Sequence, residues 1–274
     1  MSVEQSVSSH YTRGKLEEKI FAALKAAGKD MDRLQPSDFS MVDNLHVGGR
    51  DATEALAQFM DLQPGMHLLD VGCGIGGPAR YFAEQGYRVT GIDLTTDFVQ
   101  TAASITRGVK LDGHATFQQG SALGMPFSDA SFDRAYMIHV GMNIEDKARM
   151  FREVARVLKP GGRFATFDIV RNRDGEFEFP MPWANTPATS FVAGIHDYRQ
   201  ALQAAGFRIV HERDRTQFAL EVTRKMMERA ATAASPVHGV QVLMGEQMPL
   251  MVKNVTAAMA SGVLAPVELV GTLG

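Results

Sequence analysis

The stretch Leu68-Leu69-Asp70-Val71-Gly72-Cys73-Gly74-Ile75-Gly76-Gly77-Pro78 constrains this chain more than any other. Leu68 to Val71 reads as a buried strand, the glycines permit a tight turn, and Pro78 suits the first turn of a helix. A strand that breaks through glycine into a helix opens a doubly wound α/β sheet, and the alternation continues downstream. The spacing predicts strands at 66–71, 87–92, 115–119, 132–138 and 162–170, with helices at 77–85, 95–108 and 145–158. Between the third and fourth strands it predicts only a loop containing Pro126. The helix at 145–158 gathers Met150 or Phe151, Val154 and Val157 or Leu158 on one face, so it packs on a sheet.

Gly72, Gly74 and Gly77 fit the pattern G-x-G-x-x-G, and Asp93 follows about 20 residues on, as in a dinucleotide-binding turn. Asp70 argues against a dinucleotide, because its carboxylate would face a diphosphate across the turn. A ligand with a ribose, an ammonium and a sulfonium but no phosphate is attracted instead, and S-adenosylmethionine has all of these. Asp93 is placed to accept hydrogen bonds from ribose hydroxyls. With these residues the chain resembles the class I S-adenosylmethionine-dependent methyltransferases, whose first motif is D-x-G-x-G-x-G. The resemblance extends from about Met66 to about Gly206. Phe117 to Ala122 is similar to the third strand and its adenine-contacting turn, Met125 to Asp133 to the approach to strand four, and Val157 to Phe164 to the turn into strand five.

The resemblance implies a Rossmann-like, seven-stranded, mostly parallel sheet with N-terminal helices and a helical lid inserted before the last strand. The expected division is an N-terminal helical cap at 1–61, a cofactor-binding core at 62–216, the lid at 217–263 and a last core strand at 264–274. It implies cofactor contacts from Tyr11, Asp70, Gly72, Gly74, Gly76, Asp93, Leu94, Ser121, Ala122 and Ile138. One position departs from the family: the turn after strand three often carries Asp where this chain has Ser121. A hydroxyl there replaces a charged contact to the adenine amino group more weakly, by about 1 kcal/mol.

Outside the core, Arg13 to Ala27 has helical spacing closed by Gly28, and a second helix is expected from Asp51, as N-cap, to Met60. Asp197 to Ala205 reads as a helix and Phe207 to His211 as a strand. Gln217 to Ala234 and Val237 to Ser261 read as helices divided by Ser235-Pro236, the second kinked at Pro249. Leu264 to Thr272 reads as a strand in which Pro266 suits an edge or a bulge.

At 274 residues the chain suffices for one sizeable core with an appended region. A net charge of -3, with Lys and Arg scattered, supplies no field for nucleic acid. The one cysteine, Cys73, excludes an intramolecular disulfide and reads as a small filler in the turn. No run is long and apolar enough for a membrane span, and the polar Met1 to Tyr11 lacks the core of a signal peptide. A cytoplasmic protein with no metal is expected; its oligomeric state is left open.

His139, just past strand four, is the candidate base, against the alternative of a histidine packed beside the cofactor. Asn143 either orients a polar acceptor or caps the helix near Glu145. His46 lies in Asn44-Leu45-His46-Val47-Gly48, which resembles a segment found against the cofactor in amine, tocopherol and cyclopropane-forming methyltransferases. Tyr11 is expected over the methionine moiety by the same resemblance, or at the surface, and His10 faces solvent or the site. The segment Arg171 to Phe191 carries Phe177, Phe179, Met181, Trp183 and Phe191 among three prolines. It reads as a pocket wall, as an aromatic cage for a tertiary amine, or as a loop pinned to the core. Met226, Met227, Met244, Met248, Met251 and Met259 suit a flexible apolar cover or a docking face.

The expected activity is methyl transfer from S-adenosylmethionine to a small molecule such as an amine, a phenol or a quinone. His46, Asn143 and Trp183 are the candidate acceptor contacts. The alternatives are an NAD-dependent oxidoreductase, which the glycine spacing permits, and a cofactor-binding module without catalysis.

Overall fold

The computed structural model describes residues 2–12, 14–40, 42–43, 46–232 and 245–274. Its sheet has strands β1 (His67–Val71), β2 (Arg88–Asp93), β3 (Ala115–Gln119), β4 (Phe132–Ile138), β5 (Leu158–Arg171), β6 (Phe207–Asp214) and β7 (Leu264–Leu273). The order across the sheet is β3-β2-β1-β4-β5-β7-β6. β7 runs antiparallel to both its neighbours, and the remaining pairings are parallel. The helices are α1 (Val3–Tyr11), α2 (Leu16–Ala26), α3 (Gly49–Ala57), α4 (Gly77–Glu84), α5 (Thr96–Gly108), α6 (Lys147–Val157), α7 (Ile195–Ala204), α8 (Thr216–Thr232) and α9 (Met248–Ala260).

Alternate residues of each strand serve opposite faces. Leu68, Tyr136 and Phe167 pack with Leu56 of α3 and Ala79 and Phe82 of α4, whereas Leu69, Met137 and Phe164 pack with Phe151 and Val154 of α6. Each Leu, Phe, Met and Val side chain among them contributes about 1.5–3 kcal/mol by its burial. A third cluster joins Leu16, Ile20 and Leu24 of α2 to Phe39, to Phe98 and Ile105 of α5, and to Ile75 of the glycine turn. The N-terminal helices thereby rest on the same turn that the first sheet crossover needs.

Conserving the chain path between these layers falls to a few polar ties. Asp133 accepts a hydrogen bond from the His67 backbone at 2.8 Å and from Lys159 at 2.7 Å, fastening the start of β1 to the turn of β5. Arg156 donates to the carbonyls of Phe127 and Met125 at 2.7 and 2.9 Å, holding the helix-free connection between β3 and β4.

Several boundaries differ from the sequence expectations. The sequence reading places its first helix at Arg13 to Ala27 and none in the polar Met1 to Tyr11, yet α1 forms there behind a capping box, with the Ser2 backbone donating to Gln5 Oε1 and the Gln5 backbone to Ser2 Oγ. α3 starts after Gly48 in a left-handed conformation, not at an Asp51 cap. The cap of α6 is Asp146, which accepts from the Arg149 backbone at 2.9 Å, so Asn143 is not the N-cap. β7 is an interior strand, not an edge. Pro266 is tolerated because it lies beyond the end of the β6 pairing, where its carbonyl accepts from the Arg215 backbone at 2.8 Å. Pro249 sits in the first turn of α9, where a missing N–H costs nothing, and makes no kink there. Ser235, Pro236, Met244, Asn44 and Leu45 lie outside the described residues.

Candidate active site

The strand order reverses between β1 and β4, and the carboxyl ends of the strands on either side open into a cavity of about 280 Å³. This is where open α/β sheets hold ligands. Backbone geometry builds its floor. Gly72 has φ +74°, and a Cβ there would collide with Val140 of the loop after β4. A Cβ on Gly77 would stand 2.8 Å from that of Asp43, so this glycine admits the N-terminal loop to the start of α4. Buried Arg80 then pairs with Asp43 and donates to Thr106 at 3.1 Å.

Asp70 and Asp93 come from the ends of neighbouring strands and both line the cavity with Gly72 and Gly74. Asp93 accepts from the Gly74 backbone at 2.9 Å and the Thr95 backbone at 2.8 Å, which ties the glycine turn to the end of β2. Each of its oxygens keeps a further lone pair. Asp70 is 2% exposed, and its Oδ2 has no hydrogen-bond partner. Burial pushes its carboxyl up to about 8. Beside the Tyr136 hydroxyl it still wants a charged donor that would favour its ionised form. A ligand ammonium meets that need, so the residues present fit S-adenosylmethionine.

Leu94, Ala122 and Ile138 also line the cavity, whereas Gly76 and Ser121 do not. Gly76 instead sits beneath the Phe117 ring, and the Ser121 hydroxyl turns to Glu4 of α1. Cys73 lines the wall, and burial raises its thiol well above the usual range, so it stays protonated as a filler.

The other end of the cavity is walled by Ile138, Met142, Ile169, Trp183 and Val255. His139 follows β4 with φ +55°, and its Nε2 is buried without a partner. Burial, with His46 beside it, pushes His139 down to about 3. His46 stands with its ring edge-on to His139 at 6.2 Å and has Gly49 O 3.0 Å from its Nε2. Because a carbonyl only accepts, His46 carries its proton on Nε2, and burial holds it down to about 4. Both imidazoles are therefore neutral near pH 7.

Tyr11 and Asn143 meet over this space, Asn143 Nδ2 donating to the Tyr11 hydroxyl at 3.1 Å, while Tyr11 packs on Phe98. His10 is not simply solvent-facing: its Nε2 lies 3.2 Å from the Pro182 carbonyl. Trp183 is the one aromatic of its segment among the residues lining the cavity, and its Nε1 donates to Ser190 at 2.9 Å. Phe177 and Phe179 pack on the core cluster around Met181 and Leu264, so the described residues form no aromatic cage. Among the methionines of α8 and α9, Met251 and Met259 are core and Met226 and Met227 are exposed; the insertion reaches the cavity through Val255.

Sequence reasoning missed Glu4, which lines the cavity from α1, and Asp168 beneath the loop after β4. Asp168 is 1% exposed and accepts from the Val140 and Gly141 backbones at 2.9 and 3.0 Å and from the Tyr198 hydroxyl at 3.0 Å. It sets the path of the segment that carries His139. A charged residue inside the apolar run 162–170 was the available signal for it. Among the described residues, no Lys or Arg lines the cavity, and Glu4, Asp43, Asp70, Asp93, Glu145 and Asp146 do. A diphosphate has no cationic side chain to meet there.

A family model described as "Methyltransferase domain" matches residues 69–166. Methyltransferase GfsG of Streptomyces halstedii is 37% identical over 134 residues, covering 48% of this chain and 48% of that protein. Phosphoethanolamine N-methyltransferase 1 of Arabidopsis thaliana is 33% identical over 196 residues, which is 68% of this chain and 37% of that protein. The chain thus spans about half or less of the length of these curated relatives. A crystal structure of geranyl diphosphate C-methyltransferase from Streptomyces coelicolor A3(2) superposes with a TM-score of 0.73 at 18% identity, covering 100% of this chain and 98% of that one. The likeness to that structure is one of fold. The family match runs from β1 into β5, over the strands and turns that build the cavity floor, and this part of the chain is a methyltransferase domain, similar to those of the class I S-adenosylmethionine-dependent methyltransferases.

Proposed function

We propose that this protein transfers the methyl group of S-adenosylmethionine to a small, largely apolar acceptor that bears an N–H or O–H and carries no phosphate. The observation that supports this best is the contrast within one cavity. An unpartnered carboxylate oxygen of Asp70 stands at one end, and an apolar chamber with the unpartnered Nε2 of neutral His139 stands at the other. Relatives named for phosphoethanolamine or geranyl diphosphate act on phosphorylated compounds. Among its described lining residues the cavity here has no Lys or Arg to meet such an acceptor.

In this reading Asp70 receives the ligand's cationic tail, Asp93 the ribose hydroxyls, and Gly72 and Gly74 give the close backbone approach. The cofactor supplies a methyl group on a sulfonium, so the acceptor atom must be held in line, about 3–3.5 Å away, with water kept out. Trp183, Met142, Ile169 and Val255 exclude water and shape the chamber. His139 accepts a hydrogen bond from the acceptor and orients its lone pair. With its imidazole held down to about 3, it is a poor base in the empty site. His46 and Asn143 complete the polar rim. Residues 62–216 and 264–274 form the cofactor core, 1–61 the cap and 217–263 the lid. The one free thiol suits a reducing, cytoplasmic setting.

No helix of the described residues is long and apolar enough to cross a membrane. The test is a panel of amines, phenols and quinols scored for acceptor-dependent release of S-adenosylhomocysteine, alongside thermal melting with ligands. Stabilisation by S-adenosylhomocysteine and turnover with a phosphate-free acceptor are expected. Stabilisation by NADH alone would sink the reading, and turnover confined to phosphorylated acceptors would sink the choice of acceptor.

A further inference from the structure

We propose that Glu4 of α1, aimed by Ser121, is the group that recognises the adenine amino group of the cofactor, in place of the carboxylate absent from the turn after β3. The inference rests on the assignment of S-adenosylmethionine to this cavity. Asp70 is the last residue but one of β1, Asp93 ends β2, and the turn Gly120 to Leu123 follows β3, so three adjacent strand ends line the floor about 4.8 Å apart. A ligand whose tail is held at Asp70 and whose ribose is held at Asp93 brings its base to the third strand end.

Leu94 follows β2, Ala122 and Leu123 follow β3, and all three line the cavity and offer flat contact for the faces of a purine. The Ser121–Glu4 hydrogen bond brings Glu4, with Val3, to the same turn. Ser121 cannot play the part directly, since its hydroxyl lies off the cavity wall and is committed twice. It accepts from the Leu123 backbone at 3.0 Å and donates its proton to Glu4 Oε1. A carboxylate has about four acceptor positions, so one bond from Ser121 fixes the direction of Glu4 and leaves capacity toward the base. An exocyclic amino group donates to such a carboxylate, whereas the carbonyl of a 6-oxopurine faces it with a second acceptor. Glu4 thus selects adenine over hypoxanthine, with the carboxylate brought in from the N-terminal helix.

The same helix is held at its other end by the Tyr11–Asn143 hydrogen bond and the approach of His10 to the Pro182 carbonyl. Recognition of the base by Glu4 therefore also seats α1 over the acceptor chamber.

The test is calorimetric titration of the full chain with S-adenosylhomocysteine and with its inosine analogue, for wild type, Glu4→Ala and the double variant Glu4→Ala/Ser121→Asp. Glu4→Ala is expected to weaken S-adenosylhomocysteine by about tenfold or more, the loss of a hydrogen bond to a charged group, while the inosine analogue is not weakened. Moving the carboxylate to the turn in the double variant is expected to restore the preference for adenine. Equal weakening of both nucleosides, or an unchanged preference, would overturn the role of Glu4. Failure of the wild type to bind S-adenosylhomocysteine would instead overturn the cofactor assignment beneath it.

Discussion

Asp70 and Asp93 bring a buried and a partly buried carboxylate to the ends of adjacent strands, whereas the wall across the cavity is Ile138, Met142, Ile169 and Trp183 around a histidine held neutral. The first region works by charge fixed on backbone: Asp93 is locked by two N–H groups, and Asp70 lies inside a strand. The second works by shape, from side chains delivered by β4, β5, the segment after β5 and α9. A cationic nucleoside is recognised well by strand ends, because their positions are set by the sheet ladder. An acceptor is chosen by volume and by one or two hydrogen bonds, which loops and inserted helices can vary without disturbing the sheet.

The largest effect should come from testing whether the acceptor wall is truly packed. Trp183 is 3% exposed and sits in a core cluster with Met142, Met181 and Leu264. Trp183→Ala is expected to cost about 3–5 kcal/mol of stability, lowering the melting temperature by roughly 6–20 °C. The affinity for S-adenosylhomocysteine, measured below the transition, should hardly change. An unaltered melting temperature would show a loose cover where we describe a wall.

Asp70→Asn probes the charged end. Loss of a charge-assisted contact should weaken S-adenosylhomocysteine by about 2 kcal/mol, roughly 30-fold, by calorimetry. The pH dependence follows from linkage. The empty site holds Asp70 protonated up to about 8, and a bound cation favours the ionised form. Binding below that pH must therefore release a proton, and affinity rises as pH climbs from 6 toward 8. Asp70→Asn should abolish the rise. A wild-type affinity that falls over this range would contradict the placement of the cation at Asp70.

How much of this could be read in advance also divides by region. The glycine turn, Asp70, Asp93 and the loop around Pro126 were legible because each follows from local rules: a glycine where a Cβ would collide, a carboxylate at a strand end, a proline in a connection. Cap assignments went astray by a few residues, as where Asp146 caps α6 in place of the expected Asn143. α1 was missed although Ser2-Val3-Glu4-Gln5 carries the capping-box spacing, because polarity outweighed it. The role of Ser121 could not be read from its neighbours in sequence, since its partner Glu4 is 117 residues away. Tertiary contacts of that separation leave no periodic trace.

His139→Gln measures how little chemistry the neutral end performs. If the imidazole only accepts a hydrogen bond, the substitution lowers kcat/KM by about 1 kcal/mol, roughly fivefold, whereas loss of a general base costs about 10²–10⁴-fold. Its position down at about 3 leaves no protonation step of His139 between pH 5 and 8. The part of the rate that His139 controls should therefore be flat across that window. A thousandfold loss, or a step near pH 6.5 that vanishes in the variant, would mean that this end supplies a base and that the contrast between charge and shape fails.

The smallest effect belongs to the seam between the two regions, where Tyr11 of α1 receives the Asn143 hydrogen bond at 3.1 Å. A neutral, partly exposed hydrogen bond contributes about 0.5–1 kcal/mol, so Tyr11→Phe should weaken S-adenosylhomocysteine by only two- to fivefold. It should leave the melting temperature nearly unchanged, since the ring still packs on Phe98. The informative quantity is the double-mutant cycle with Asn143→Ala. If the bond seats α1 on the occupied site, the two losses overlap, and the double variant should be little worse than either single one. Strict additivity would mean that the two residues act separately on the ligand, and that the cofactor end and the acceptor end are not joined through α1.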